Sequence, residues 1–121
     1  MGYYTFNKKY ITKSTDFIIE AIKTKLKEES FFIGIGQGKR FDVNRMSTTA
    51  IYYMANDKKQ NKVEDMDIEE MKTVLVEMKK LPKFNSDTDL LKERISTAMY
   101  RKRTPLFGML KQTEIILDVE E

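Results

Sequence analysis

The longest regular pattern in the chain is an apolar stripe at helical spacing in "DMDIEEMKTVLVEMKKL", residues 65–81. Ile68, Met71, Val74, Leu75, Met78 and Leu81 recur three or four positions apart, which places them on one helix face. Asp65 or Asp67 is placed to cap the start, acids fill the first turn, and Lys79 and Lys80 fill the last. Pro82 stops the helix. A second stripe runs through "STDFIIEAIKTKLKEE", where Ile18, Ile22 and Leu26 repeat every four residues behind a Ser14, Thr15 or Asp16 cap. A third begins at Ser86 or Asp87 in "FNSDTDLLKERISTAMYRKR", residues 84–103, with Leu90, Leu91, Ile95, Ala98 and Met99 facing inward and Pro105 ending it.

Strand signals are shorter. "YYTF" at 3–6 has β-propensity, and "FFIGI" at 31–35 reads as a buried strand. "TTAIYYM" at 48–54 fits a strand by its β-branched and aromatic residues, and a helix by its alanines. "NDKKQNK" at 56–62 has no apolar residue and reads as a loop. "LFGMLKQTEIILDV" at 106–119 resembles two short strands around a polar turn, with a continued helix as the competing reading. The expectation is one α+β domain over residues 1–121, with three main helices and short strands.

Composition removes more functions than it supplies. The chain has 121 residues, 40% hydrophobic and 34% charged, as in an ordinary globular domain. It contains no cysteine and no histidine, so thiol nucleophiles, disulfides, zinc–thiolate sites and imidazole bases are absent. A non-enzymatic protein without cofactor or metal is expected. No apolar run approaches the ~18 residues of a membrane span, and the start lacks an apolar leader core. The expected setting is cytoplasmic, the host's cytoplasm if the protein is viral. Net charge is +3, unevenly spread: residues 1–46 hold nine cations against five anions. Such a bias attracts nucleic acid or an acidic partner, or is only a solvated surface.

"FFIGIGQGKR" is the most conspicuous short motif. Gly34, Gly36 and Gly38 precede Lys39 and Arg40, the residue types of an anion-binding loop. The spacing G-x-G-x-G fits neither a P-loop nor a dinucleotide fingerprint, nor the acyl-coenzyme A loop of acetyltransferases. A strand that ends in a bulge or tight turn explains the glycines better, leaving a small anionic nucleotide-like ligand at Gly34, Gly36, Gly38, Lys39 and Arg40 as the alternative. "EDMDIEE" gathers five carboxylates, which the dipole of a helix N-terminus accounts for without a metal.

"YRKRTPLF" places Arg101, Lys102 and Arg103 at a helix end near Tyr100 and Thr104, groups that contact phosphate. The helix at 65–81, the helix at 84–103 and a terminal hairpin together resemble a winged-helix unit over residues 65–119. In that family the second helix enters the major groove and the hairpin touches the backbone. The resemblance implies Lys92, Arg94, Arg101, Lys102, Arg103 and Lys111 as nucleic-acid contacts, although Asp89 and Glu93 share the reading helix. "KKYITKSTDFIIEAI…FFIG" is similar to the opening of some phage baseplate proteins, which place a tryptophan soon after where this chain has none. The small size, the lack of a catalytic constellation and a surface rich in Met and Tyr give a protein–protein module as the alternative: a virion or assembly component of a phage or mobile element, or an inhibitor of a host or defence protein. The expected partner is nucleic acid or another protein, with self-association compatible with either and no membrane.

Overall fold

A computed structural model describes residues 2–36, 38–56 and 62–119. Among these described residues, six helices and two antiparallel sheets make up a mixed α+β fold. The order is β1 (Tyr4–Phe6), α1 (Lys8–Ile11), α2 (Thr15–Glu28), β2 (Phe31–Ile33), β3 (Arg40–Met46), β4 (Ala50–Ala55) and β5 (Val63–Asp67). α3 (Ile68–Lys79), α4 (Asp89–Arg94), α5 (Thr97–Arg101), α6 (Arg103–Gln112) and β6 (Ile116–Asp118) follow. β2-β3-β4-β5 form a meander, and β1 pairs with β6 in a separate two-stranded sheet. The loop expected at 56–62 lies largely outside the described residues.

The two long stripes behave as their spacing requires. Ser14 caps α2 by accepting from Phe17 N–H, and Ile18, Ile19, Ile22 and Leu26 are buried. Asp67 caps α3 by accepting from Glu70 N–H at 3.0 Å, and Ile68, Met71, Val74, Leu75 and Met78 are buried. Asp65 lies inside β5 and Asp67 ends it, so the acidic run serves a strand first and a cap second.

Of residues 48–54, those from Ala50 onward form strand β4. Ile51 and Tyr53 are fully buried and alternate with half-exposed Tyr52 and Met54, the period-two signature of a sheet covered on one face. Tyr53, Phe32 and Phe41 pack as a ring cluster, with centroids 5.3 to 5.7 Å apart. Burying each such ring stabilises the fold by roughly 1.5–3 kcal/mol. β3, with its alternation broken at a register shift between Val43 and Arg45, carried no clear sequence signal.

The C-terminal unit departs from expectation in two places. The stretch 84–103 is not one helix. Phe84 pairs with Tyr4 in an isolated bridge, Ile95 is extended, and Ser96 starts α5 afresh by capping Met99 N–H. Leu90 and Ala98 consequently face outward, while Leu91 and Met99 are buried. Residues 106–119 do not form a hairpin. Pro105 sits in the first turn of α6, where its missing N–H has no intrahelical partner to lose, so it starts that helix instead of stopping one. Every residue from Pro105 to Leu110 is buried, so the apolar run is a core helix. Glu114 then takes a left-handed φ of 63°, and β6 pairs with β1 at the far end of the chain. The helix–helix–hairpin arrangement of a winged helix is therefore not what residues 65–119 form.

α6 also closes the free edge of β2. Gly108 lies so close that a Cβ there would sit 2.2 Å from Ile33 O and 2.6 Å from Gly34 Cα. Gln112 completes the closure, accepting from Ile33 N–H at 3.1 Å and donating to Phe31 O at 2.6 Å. One side-chain amide thus pairs with the strand as a neighbouring strand would.

Candidate functional site

The glycine stretch is the connection between β2 and β3. Gly34 N–H donates to Lys39 O at 2.8 Å, closing the hairpin, and Ile35 N–H donates to Thr104 O. Gly36 and Gly38 have φ of 83° and 72°, values that a side chain would strain. Two of the N–H groups that an anion would need are thus turned onto the protein itself. Arg40 pairs with Asp42 at 3.0 Å and lies 4.2 Å over the Phe31 ring, while Lys39 is exposed. Beside the loop is a groove of about 460 Å³ lined by Tyr4, Ile33, Gly34, Gly36, Gly108 and Lys111 among others. It brings Lys111 to the glycines, but that ammonium already faces Asp118 at 3.3 Å.

The cations expected on one recognition helix are divided among three helices, and most have partners. Arg94 bonds Glu77 at 3.1 Å. Lys102 donates to Asp65 O and lies 3.9 Å from its carboxylate. Arg103 stacks 4.4 Å from the Tyr100 ring centroid, donates to Tyr100 O and approaches Asp87 at 4.0 Å. Lys92 lies 5.1 Å from the same ring. Arg101 is exposed, with no ion pair among the described residues.

A different basic surface emerges where β1, α1 and the end of α3 meet. The Tyr4–Phe84 bridge and the Thr5 hydroxyl, which donates to Pro82 O, draw the segment after α3 against β1. Lys79 donates to Lys13 O at 2.6 Å and lies 5.8 Å from the Phe6 ring. Lys83 stands 4.7 Å from the Tyr3 ring, Lys9 5.5 Å from Tyr10 and Lys13 5.1 Å from Phe17. With Lys8 on α1 this makes five lysines, none in an ion pair among the described residues. The acids on the adjoining helix ends are already held. Asp16 takes Lys72 at 2.6 Å, and Glu77 takes Lys80 and Arg94, both at 3.1 Å. Hydrogen bonds from Lys80 and Arg94 hold the Glu77 carboxyl below its usual range, and Asp16 and Glu69 raise the Lys72 ammonium above its own.

The charge excess of the first 46 residues hinted at this surface. The convergence with Lys79 and Lys83 did not show, because it depends on a bridge between positions 4 and 84. A second exposed surface is the uncovered face of the meander. The register puts Phe31, Arg40, Asp42, Arg45, Tyr52 and Met54 on it, opposite the buried rings. Arg45 lies 3.9 Å over the Tyr52 ring.

No family model, curated protein or solved structure matches this chain.

Proposed function

We propose that this is a non-enzymatic nucleic-acid-binding protein that holds phosphates on its lysine surface. The observation that carries the reading is the cluster of Lys8, Lys9, Lys13, Lys79 and Lys83, uncompensated among the described residues in a chain that pairs most of its other predicted contact cations. Uncompensated ammonium groups on one surface are what counterion release rewards. Binding of a labelled oligonucleotide across a salt series tests it. Each phosphate contact contributes roughly 0.7–0.9 to the slope of log affinity against log salt. Replacing Lys8, Lys9 and Lys13 together with Ala is expected to lower that slope by roughly two units, on the same scale. Replacing Arg101, Lys102 and Arg103 is expected to do less, because two of the three are engaged internally. An affinity indifferent to salt and to the Lys8, Lys9 and Lys13 changes would overturn the reading.

One observation favours a second reading, a protein-docking module. The open sheet face combines Phe31, Tyr52, Met54, Arg40 and Arg45, the residue types that dominate interface centres. Asp42, with Asp65 beside Tyr52 on the same face, balances the two arginines, which suits a protein better than a phosphate backbone. A stoichiometric protein partner retained after nuclease treatment and lost in Tyr52→Ala is the outcome that would place this reading first.

A further inference from the structure

We propose, resting on the nucleic-acid reading above, that the lysine surface takes single-stranded nucleic acid, with the Phe17 ring as the platform on which a base stacks. Seven large hydrophobic side chains are exposed among the described residues, and Phe17 is the only aromatic among them, at 51%. It occupies the first turn of α2, its N–H taken by Ser14 Oγ and its ring turned away from the Ile18, Ile19 and Ile22 core. The half of the ring that stays in water gains the fold nothing.

The ring is continuous with the cations. Lys13 Nζ is 5.1 Å from its centroid, and Lys79 is bonded to the Lys13 carbonyl. A base laid on Phe17 would leave its own phosphate within reach of both ammonium groups. The neighbouring Asp16 carboxylate, which would repel that phosphate, is partly offset by Lys72 at 2.6 Å, an ammonium it shares with Glu69 at 2.9 Å. Tyr3 and Lys83, 4.7 Å apart, repeat the ring-and-ammonium pairing near the other end of the surface. A duplex keeps its base faces inside the stack and offers such a ring nothing; a single strand offers a face at every nucleotide. A lipid surface would ask for a longer apolar stripe than this one. The outward positions of α2 beyond Phe17 are Glu20, Thr24, Lys27 and Glu28, all polar.

The test is fluorescence anisotropy of the whole protein with a short labelled oligothymidine and with a duplex of equal length, for wild type, Phe17→Ala and Phe17→Tyr. Circular dichroism confirms that each variant is folded. The single strand is expected to bind more tightly than the duplex. Phe17→Ala is expected to weaken single-strand binding roughly tenfold with the salt slope unchanged, and Phe17→Tyr to retain it. Equal affinity for both nucleic acids, with Phe17→Ala silent, overturns this inference and leaves the phosphate-binding reading standing. Binding to neither overturns both. Sedimentation with phosphatidylserine vesicles in preference to the oligonucleotide also overturns it, in favour of a membrane surface.

Discussion

Gly108→Ala is the sharpest test of how α6 is seated, because two opposing effects predict opposite signs. Helix propensity alone favours alanine over glycine inside a helix by about 1 kcal/mol. The seating argues the other way. The added Cβ would stand 2.2 Å from Ile33 O, 2.9 Å from Ile33 C and 2.6 Å from Gly34 Cα, all main-chain atoms that cannot swing aside. Ordinary carbon–oxygen contact begins near about 3.3 Å, so α6 and β2 must separate by roughly 1 Å. Overpacking of this kind costs about 1–3 kcal/mol. The shift also strains the two bonds by which Gln112 closes the β2 edge, each worth about 1 kcal/mol. The net expectation is a loss of roughly 2–3 kcal/mol, a large share of a small domain's stability. Urea unfolding followed by circular dichroism reads it directly as a lower midpoint at unchanged slope. A midpoint equal to or above that of wild type would show that propensity wins and that helix and strand are not in main-chain contact.

Two other substitutions probe polar groups. Glu77→Gln removes a carboxylate whose pKa is lowered by hydrogen bonds from Lys80 and Arg94, against desolvation. Its stabilisation is complete above the ordinary value of 4.5 and fades as pH falls through the lowered one, so the gap between wild-type and variant urea midpoints should shrink in acid. Tyr53→Phe deletes a fully buried hydroxyl with no hydrogen-bond partner among the described residues, and should be neutral or stabilising by about 1 kcal/mol. Burial, then Glu64 and Asp65, raise that phenol's pKa, so wild type should lose stability above the ordinary value of 10.0 more steeply than the variant. A destabilised Tyr53→Phe would mean that the hydroxyl is bonded.

What was legible in the sequence was local. The stripes of α2 and α3 follow from spacing, while the Ser14 cap was one of three candidates read from it and the Asp67 cap one of two. Where a residue's role depends on a distant partner, pattern misleads. Pro105 looks like a terminator until the helix is seen to start beside it. Leu106 to Leu110 alternate poorly as a strand because they are buried on all sides. The β1–β6 pairing joins positions more than a hundred residues apart, and no window along the chain contains both. Of the candidate site residues, Gly34, Gly36 and Gly38 fall in the turn that one of the two readings offered, and Lys111 reaches Gly34 and Gly36 only through the packing of α6. The lysines at 8, 9 and 13 were visible as a charge excess, yet nothing in the sequence distinguished them from solvated cations.

Ion pairing divides the candidate cations by what they do for the fold. Arg94, Lys102, Arg103 and Lys111 each meet an acid within 4.0 Å, so they help to position α4, α5 and α6 against their neighbours. Lys8, Lys9 and Lys13 donate no side-chain hydrogen bond among the described residues and hold no element in place. Like charges gathered without counter-charge repel, each pair by about 1 kcal/mol at 4 Å in bulk water and less when screened by salt. Beyond the contacts of Lys9 with the Tyr10 ring and of Lys13 with the Phe17 ring, folding gains nothing from keeping them together. Replacing the three with Ala relieves repulsion and leaves the caps and the core untouched, so loss of nucleic-acid binding in that variant reports on the surface and not on the fold. The triplet at 101–103 lacks this separation. Changing it would disturb the contacts with Asp65 and Asp87, and weaker binding there would have two causes.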